Sequence, residues 1–133
     1  EFSPAAAGDA AGLVVFGYDY SWTGLVFDGR GLQLQQRIRN EARDGSEERV
    51  VAEQPFEGGS LYLRLDVEKG AVSRFSVSSD GLHYEPFGET FTARQARWVG
   101  AKAGLFAGRP GVEEGGNGRT GFADFSDWQV TVR

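Results

Sequence analysis

Across "LYLRLDV" (61–67), Leu61, Leu63, Leu65 and Val67 fall on one side of an extended chain, and Tyr62, Arg64 and Asp66 on the other. That two-residue period predicts a half-buried β-strand. "LQLQQRI" (32–38) repeats it, with Leu32, Leu34 and Ile38 on one face and Gln33, Gln35 and Arg37 on the other. "AGLVVFG" (11–17) is instead a continuous apolar run, the pattern of a strand covered on both faces. "TGLVF" (23–27), "RVVAEQ" (49–54), "AVSRFSVS" (71–78), "LHYEPFG" (82–88), "WVGAKAGLFA" (98–107) and "GFADFSDWQVTV" (121–132) complete the expected strands. Pro86 puts 82–88 at a sheet edge or a bulge, because proline cannot donate to a ladder. Turn signals separate these runs: Asp28-Gly29, Lys69-Gly70 and Asp80-Gly81. The last suits a type I′ hairpin, whose two central residues both take positive φ. "NEARDGSEE" (40–48) predicts a charged loop, and the composition of "GRPGVEEGGNGRT" (108–120) predicts a mobile Gly-rich one. No useful length of chain follows a helical period, and no internal repeat is visible. The pattern predicts an all-β protein, an antiparallel β-sandwich.

Composition narrows the function classes. The 133 residues fit a single domain. A net charge of −5, with arginines and glutamates interspersed, repels phosphate backbones, so no nucleic-acid partner is expected. The chain has no cysteine, which removes disulfides, thiolate nucleophiles and cysteine metal sites together. Its one histidine, His83, argues against a histidine-based triad or a multi-histidine zinc site. No apolar run approaches the roughly 18 residues that span a membrane, so no membrane partner is expected, and no signal peptide is visible. The absence of methionine predicts a piece of a longer protein. "GGNG" lacks the Gly-Lys-Ser/Thr ending of a phosphate loop.

Two stretches carry candidate chemistry. In "GFADFSDWQV" (121–130) acidic and aromatic residues alternate as they would around a bound sugar. On an ideal strand, however, Asp124 and Asp127 point to opposite faces. Glycosidase carboxyl pairs must face one sugar, about 5–5.5 Å apart in retaining enzymes and roughly 6.5–9.5 Å in inverting ones. The stretch therefore predicts a closing strand with no catalytic residue. Asp124 or Asp127 remains a candidate ligand of a structural calcium, with Glu113, Glu114 or Asn117 adding oxygens; no other cofactor is required. The second stretch, "GYDYSWTG" (17–24), concentrates Tyr18, Tyr20 and Trp22 beside Asp19. Aromatic faces stack on pyranose C–H faces while polar neighbours take the hydroxyls, so these are candidate sugar contacts. Packing in the core or against another domain is the alternative for Trp22, and equally for Trp98.

The run "FSVSSDGLHYEPFGETFTARQARWVGAKAGLFA" and the later "GFADFSDWQV" carry a more specific signal. The turn, "PFGETF", "WVGAKAGLFA" and a closing "ADF-x-D-aromatic" strand resemble the C-terminal β-sandwich of family 43 glycoside hydrolases. "AGLVVFGYDYSWTGL" looks like the middle of such a domain, and the resemblance covers about residues 9–132. It implies a jelly-roll, concanavalin A-like fold that accompanies a catalytic β-propeller in β-xylosidases and arabinofuranosidases. Such domains run longer, so the segment before "GDAAGLVVFG" is expected to be missing. The chain is then a whole sandwich or the C-terminal two-thirds of one, completed by a complementary fragment or another copy.

The resemblance also implies a function. The domain would be a non-catalytic accessory that packs on the propeller and shapes the sugar pocket in xylan or arabinan breakdown. A loop aromatic of the family reaches that pocket, and Trp98 holds the matching position in "ARWVGAK". Expected partners are the propeller, carbohydrate and a homo-oligomeric copy. Polysaccharide breakdown favours a secreted or periplasmic site over a cytoplasmic one. The alternative is a free-standing, lectin-like carbohydrate-binding module.

Overall fold

The computed structural model describes residues 1–40, 46–94, 100–110 and 121–132. The strands are β1 (Phe2–Ser3), β2 (Ala10–Phe16), β3 (Tyr20–Phe27), β4 (Leu32–Arg39), β5 (Arg49–Phe56), β6 (Tyr62–Glu68) and β7 (Val72–Ser78), followed by β8 (Glu85–Pro86), β9 (Phe91–Thr92), β10 (Lys102–Gly108) and β11 (Phe122–Ala123). A large antiparallel sheet runs β10-β2-β3-β4-β5, a smaller one runs β6-β7-β8 with β9 also on β7, and β1 pairs with β11. This is the predicted sandwich. Its long strands coincide with the alternating or continuous apolar runs, because one period serves both the pleat and the core.

The two sheets close on one apolar cluster. Leu13 and Val15 of β2 and Ile38 of β4 meet Phe75 of β7, Phe91 of β9 and Ala93, with Leu63, Leu65 and Val51 packed at the margin. One polar residue sits in the inward row of β4. Gln36 is fully buried. Its Nε2 donates to the Glu89 carbonyl (2.9 Å) and the Ser21 hydroxyl (3.2 Å), and its Oε1 accepts from the Glu89 amide (2.6 Å). The amide thus ties the large sheet to the segment leading into β9, and every partner of the buried group is supplied. Gly88 makes room for it: φ is +77°, and a Cβ there would run into the Gln36 amide.

The outward face of the large sheet holds a second cluster, with Ala10, Trp22 and Val26 buried beside Val14, Tyr20 and Phe106. β2 and β3 are consequently covered on both faces, as the continuous apolar run at 11–17 implies.

Four local expectations need correction. Residues 121–132 do not form a closing strand: pairing stops at Ala123, and Asp127 takes a left-handed φ of +58°, which breaks the extended alternation. Asp80-Gly81 is not a type I′ turn, because of the two only Gly81 has positive φ. Asp80 shapes the connection through its side chain, accepting from the amides of Leu82 and His83 (both 2.8 Å) and the Ser78 hydroxyl (2.8 Å). The strand expected at 82–88 shrinks to Glu85–Pro86, at the edge position that proline tolerates. The strand expected at 98–107 runs over Lys102–Gly108, while 95–99 and most of the Gly-rich loop lie outside the described residues.

Candidate functional site

The site is built where β2 turns into β3. Gly17, Tyr18 and Asp19 make the turn, closed by the Gly17 amide donating to the Asp19 carbonyl (2.8 Å). The segment after β9 is fastened to it. The Tyr18 amide donates to the Arg94 carbonyl (3.3 Å), and Arg94 grips the Asp19 carboxylate with Nε and Nη2, each at 2.6 Å. Asp19 is buried and the Arg94 side chain half exposed. A two-pronged guanidinium–carboxylate contact fixes orientation as well as distance, so it holds these two segments in register. Tyr18 is half-buried on that turn, and Phe16 beside it is 41% exposed.

One strand turn further in, a polar network surrounds Glu48. Tyr20 donates its hydroxyl (2.6 Å) and Trp22 its indole N–H (3.1 Å) to Glu48 Oε2, and Arg37 Nη1 donates to Oε1 (2.9 Å). The register explains the meeting, since Trp22 on β3 lies directly opposite Arg37 on β4. The Arg37 guanidinium lies 5.1 Å from the centre of the Trp22 ring, and Phe106 meets that ring edge-on at 4.9 Å. Burial alone would raise the Glu48 carboxyl above its ordinary range. The hydrogen bonds from Tyr20, Arg37 and Trp22 outweigh it and hold the group below that range. For Tyr20, burial and then the Glu48 charge push the phenol up to about 12.

The predicted sugar contacts therefore divide. Trp22 is 3% exposed, its ring engaged by Arg37 and Phe106, so in this arrangement it offers no open face to a pyranose. Tyr20 spends its hydroxyl on Glu48. Tyr18 stands at the turn, held by its backbone to Arg94. Trp98 lies outside the described residues, four positions after Arg94. Glu48 and Arg94 were not singled out by the sequence. Glu48 closes a charged loop, and only the β3–β4 and β4–β5 registers together show that two aromatic donors face it. Arg94 carries no local signal at all, because its partner is 75 residues away.

Elsewhere, among the described residues, the carboxylates do not gather into a metal-holding group: no three acidic or histidine side chains are placed to hold a metal. Asp124 and Asp127 are both exposed. Glu113, Glu114 and Asn117 lie outside the described residues. A cleft of about 320 Å³ bounded by Leu34, Phe56, Leu61, Val77, Asp80 and His83 includes none of the predicted sugar contacts.

Set beside known proteins, residues 1–131 match the family model described as the β-xylosidase C-terminal concanavalin A-like domain. The chain belongs to that family. Among solved structures it is similar to a chain of a family 43 glycoside hydrolase, one whose engineered active site displays both endo-xylanase and exo-arabinofuranosidase activity. The two superpose with a TM-score of 0.68 at 21% identity, over 81% of this chain and 24% of the other. That likeness speaks for the fold. The chain spans about a quarter of the length of that enzyme chain. No curated protein matches it. Together the family model and the superposition make this domain a concanavalin A-like C-terminal module of the family 43 type, as its closing motifs suggested.

Proposed function

We propose that this domain is a non-catalytic accessory of a family 43-type glycoside hydrolase, and that the β2–β3 turn is the edge it presents to a catalytic propeller. The Asp19–Arg94 contact carries this reading. It binds the turn that holds Tyr18 to Arg94, which stands four positions before Trp98 in the sequence. Tyr20, Trp22 and Glu48 lie behind that edge as a buried support. Their role is to keep the β2–β3 turn rigid, while Tyr18 and Trp98 form part of one wall of a pocket for xylan- or arabinan-derived sugars. An edge held by a bidentate ion pair and a buried network is already ordered before it meets a partner, which lowers the entropy lost on docking.

The test joins the chain to a family 43 catalytic propeller and measures kcat/KM on an aryl xyloside and an aryl arabinofuranoside. Replacing Tyr18 or Trp98 by alanine is expected to lower kcat/KM about tenfold or more, while the thermal midpoint of the domain stays within a few degrees. Unchanged kinetics in both variants would remove the pocket-wall role. Tight binding of xylo-oligosaccharides by the domain alone would replace the accessory reading with a lectin-like one.

A further inference from the structure

Among the described residues, one side of the sandwich is left open. Among the described strands β6 pairs with β7 alone, so its outer edge presents unpaired amides and carbonyls. β6 packs over β2, where Leu63 and Leu65 join the cluster containing Leu13 and Val15. The large sheet continues one strand further, to β10. In the register of β10 with β2, Ala103, Leu105 and Ala107 stand opposite Val15, Leu13 and Ala11, hence on the same inward face. All three are exposed, Leu105 at 41%, and Val67 at the end of the inward row of β6 is 51% exposed. A step one strand wide therefore lies beside β6 and above β10, apolar beneath and lined with free backbone groups at its side. A second whole sandwich approaching this edge would meet β10. A single extended segment fits.

The chain displays such a segment. Beyond Ala123, Phe125, Trp128, Val130 and Val132 are 42%, 54%, 74% and 91% exposed. In a regular strand Phe125 would face away from the other three. Were the segment paired as a strand, the left-handed Asp127 would serve as a bulge, shift the alternation by one residue and bring all four to one side. Gln129 and Thr131 would then face outward. Arg64, on the outer side of β6 over the Tyr84 ring, is the cation that Asp127 would meet. The segment's own start is held elsewhere: β11 pairs with β1, and the Asp124 amide donates to the Glu1 carbonyl (2.6 Å).

We infer that the step between β6 and β10 receives residues 124–132 of a second copy of this chain, each copy lending its tail to the free edge of the other. Backbone pairing with β6 supplies register, and the bulge-aligned apolar face covers Ala103, Leu105, Ala107 and Val67. Reciprocal exchange makes a closed pair, the symmetric outcome for a strand that is both donor and acceptor.

Light scattering and tryptophan emission, followed up to about 200 μM chain, test this directly. The dimer fraction is expected to rise with concentration, together with a blue shift as Trp128 leaves water. Two variants separate the halves of the exchange. Val67→Lys puts a charge in the step at an exposed position, and removal of residues 124–133 takes away the tail; each alone is expected to stay monomeric with an unchanged far-UV spectrum. Mixed together they should pair one to one, about tenfold or more weaker than the parent, because one intact tail still meets one intact edge. A parent chain that stays monomeric throughout overturns the inference. So does a monomer with shielded Trp128, which would mean that the tail folds back on its own body. A dimer that survives in both single variants, or a mixture that does not associate, overturns it as well.

Discussion

The two faces of the large sheet are buried by different means. Inward, β2 and β4 meet a second sheet, and the apolar cluster around Phe75 is accompanied only by uncharged buried polar side chains, Gln36 with its partners at Glu89 and the small Ser21, Thr23 and Ser73. Outward, no sheet among the described residues covers Trp22. It is enclosed by Phe106, by a guanidinium and by a carboxylate that gathers three donors. The inner face is held by packing that depends little on ionisation state. The outer face is held by charges and hydrogen bonds, which are directional and sensitive to pH. That difference suits the outer face to position a functional edge, because a directional network fixes geometry where packing alone fixes volume.

The sharpest way to separate the two faces is to damage the inner one. Phe75→Ala removes the largest fully buried side chain and leaves a cavity between the sheets. Urea unfolding is expected to show a loss of about 3–5 kcal/mol. Gln36→Leu should cost less, about 2–3 kcal/mol, although leucine is the more apolar residue. The loss comes from the Glu89 amide and carbonyl, which remain buried without their partner. A neutral or stabilising result would mean that the segment at Glu89 turns to water, and that the amide does not join the sheets.

The same contrast explains what could be read from the sequence. Long strands of the inner face were legible because burial on one side imposes a period of two, and 61–67 and 32–38 both show it. Gln36 breaks that period in the inward row, and nothing local announces that Glu89 will receive it. The outer network was half legible. Tyr20 and Trp22 stand out as aromatics, but Glu48 becomes their acceptor only through strand register, and Asp19 finds Arg94 across 75 residues. The stretch 121–132 misled for a related reason. Its alternation is that of a strand, yet alternation says nothing about whether an edge is there to receive it, and the left-handed Asp127 is invisible to a count of apolar residues.

Predictions on the outer face are smaller and carry a pH signature. Glu48→Gln keeps the shape but trades charge-assisted hydrogen bonds for ordinary ones, an expected loss of about 1–2 kcal/mol in urea unfolding at neutral pH. The parent's advantage over this variant should disappear in acid. The Glu48 carboxyl lies below its ordinary value in the folded state, so its contribution is present above that ordinary value and is lost as pH falls through the lowered one. Tyr20 works at the other end of the scale. Its phenol is raised from 10.0 to about 12 on folding, so the folded state holds that proton more tightly. This contribution is complete below pH 10.0 and lost as pH rises toward about 12. Alkaline difference absorbance of the native protein should show a late-ionising phenol that is missing in Tyr20→Phe. A parent protein whose tyrosines all ionise together near the ordinary value would detach Tyr20 from Glu48.

The smallest expected effect lies outside both faces and fixes the scale for the others. Arg74 Nη1 approaches Glu68 Oε1 at 2.7 Å on β7 and β6, a contact as short as several in the Glu48 network. Both side chains are more than half exposed, at 51% and 62%. Water solvates each partner well when the pair is broken, and holding two long side chains in one geometry costs entropy. Arg74→Ala is therefore expected to change stability by no more than about 0.5 kcal/mol, and less at high salt. The Arg37–Glu48 distance, 2.9 Å, is no shorter, yet those side chains are only 22% and 15% exposed. If Arg74→Ala cost as much as Glu48→Gln, short contact distance would be the governing quantity. A clear gap between the two assigns the difference to burial, and with it the rigidity of the edge that carries Tyr18.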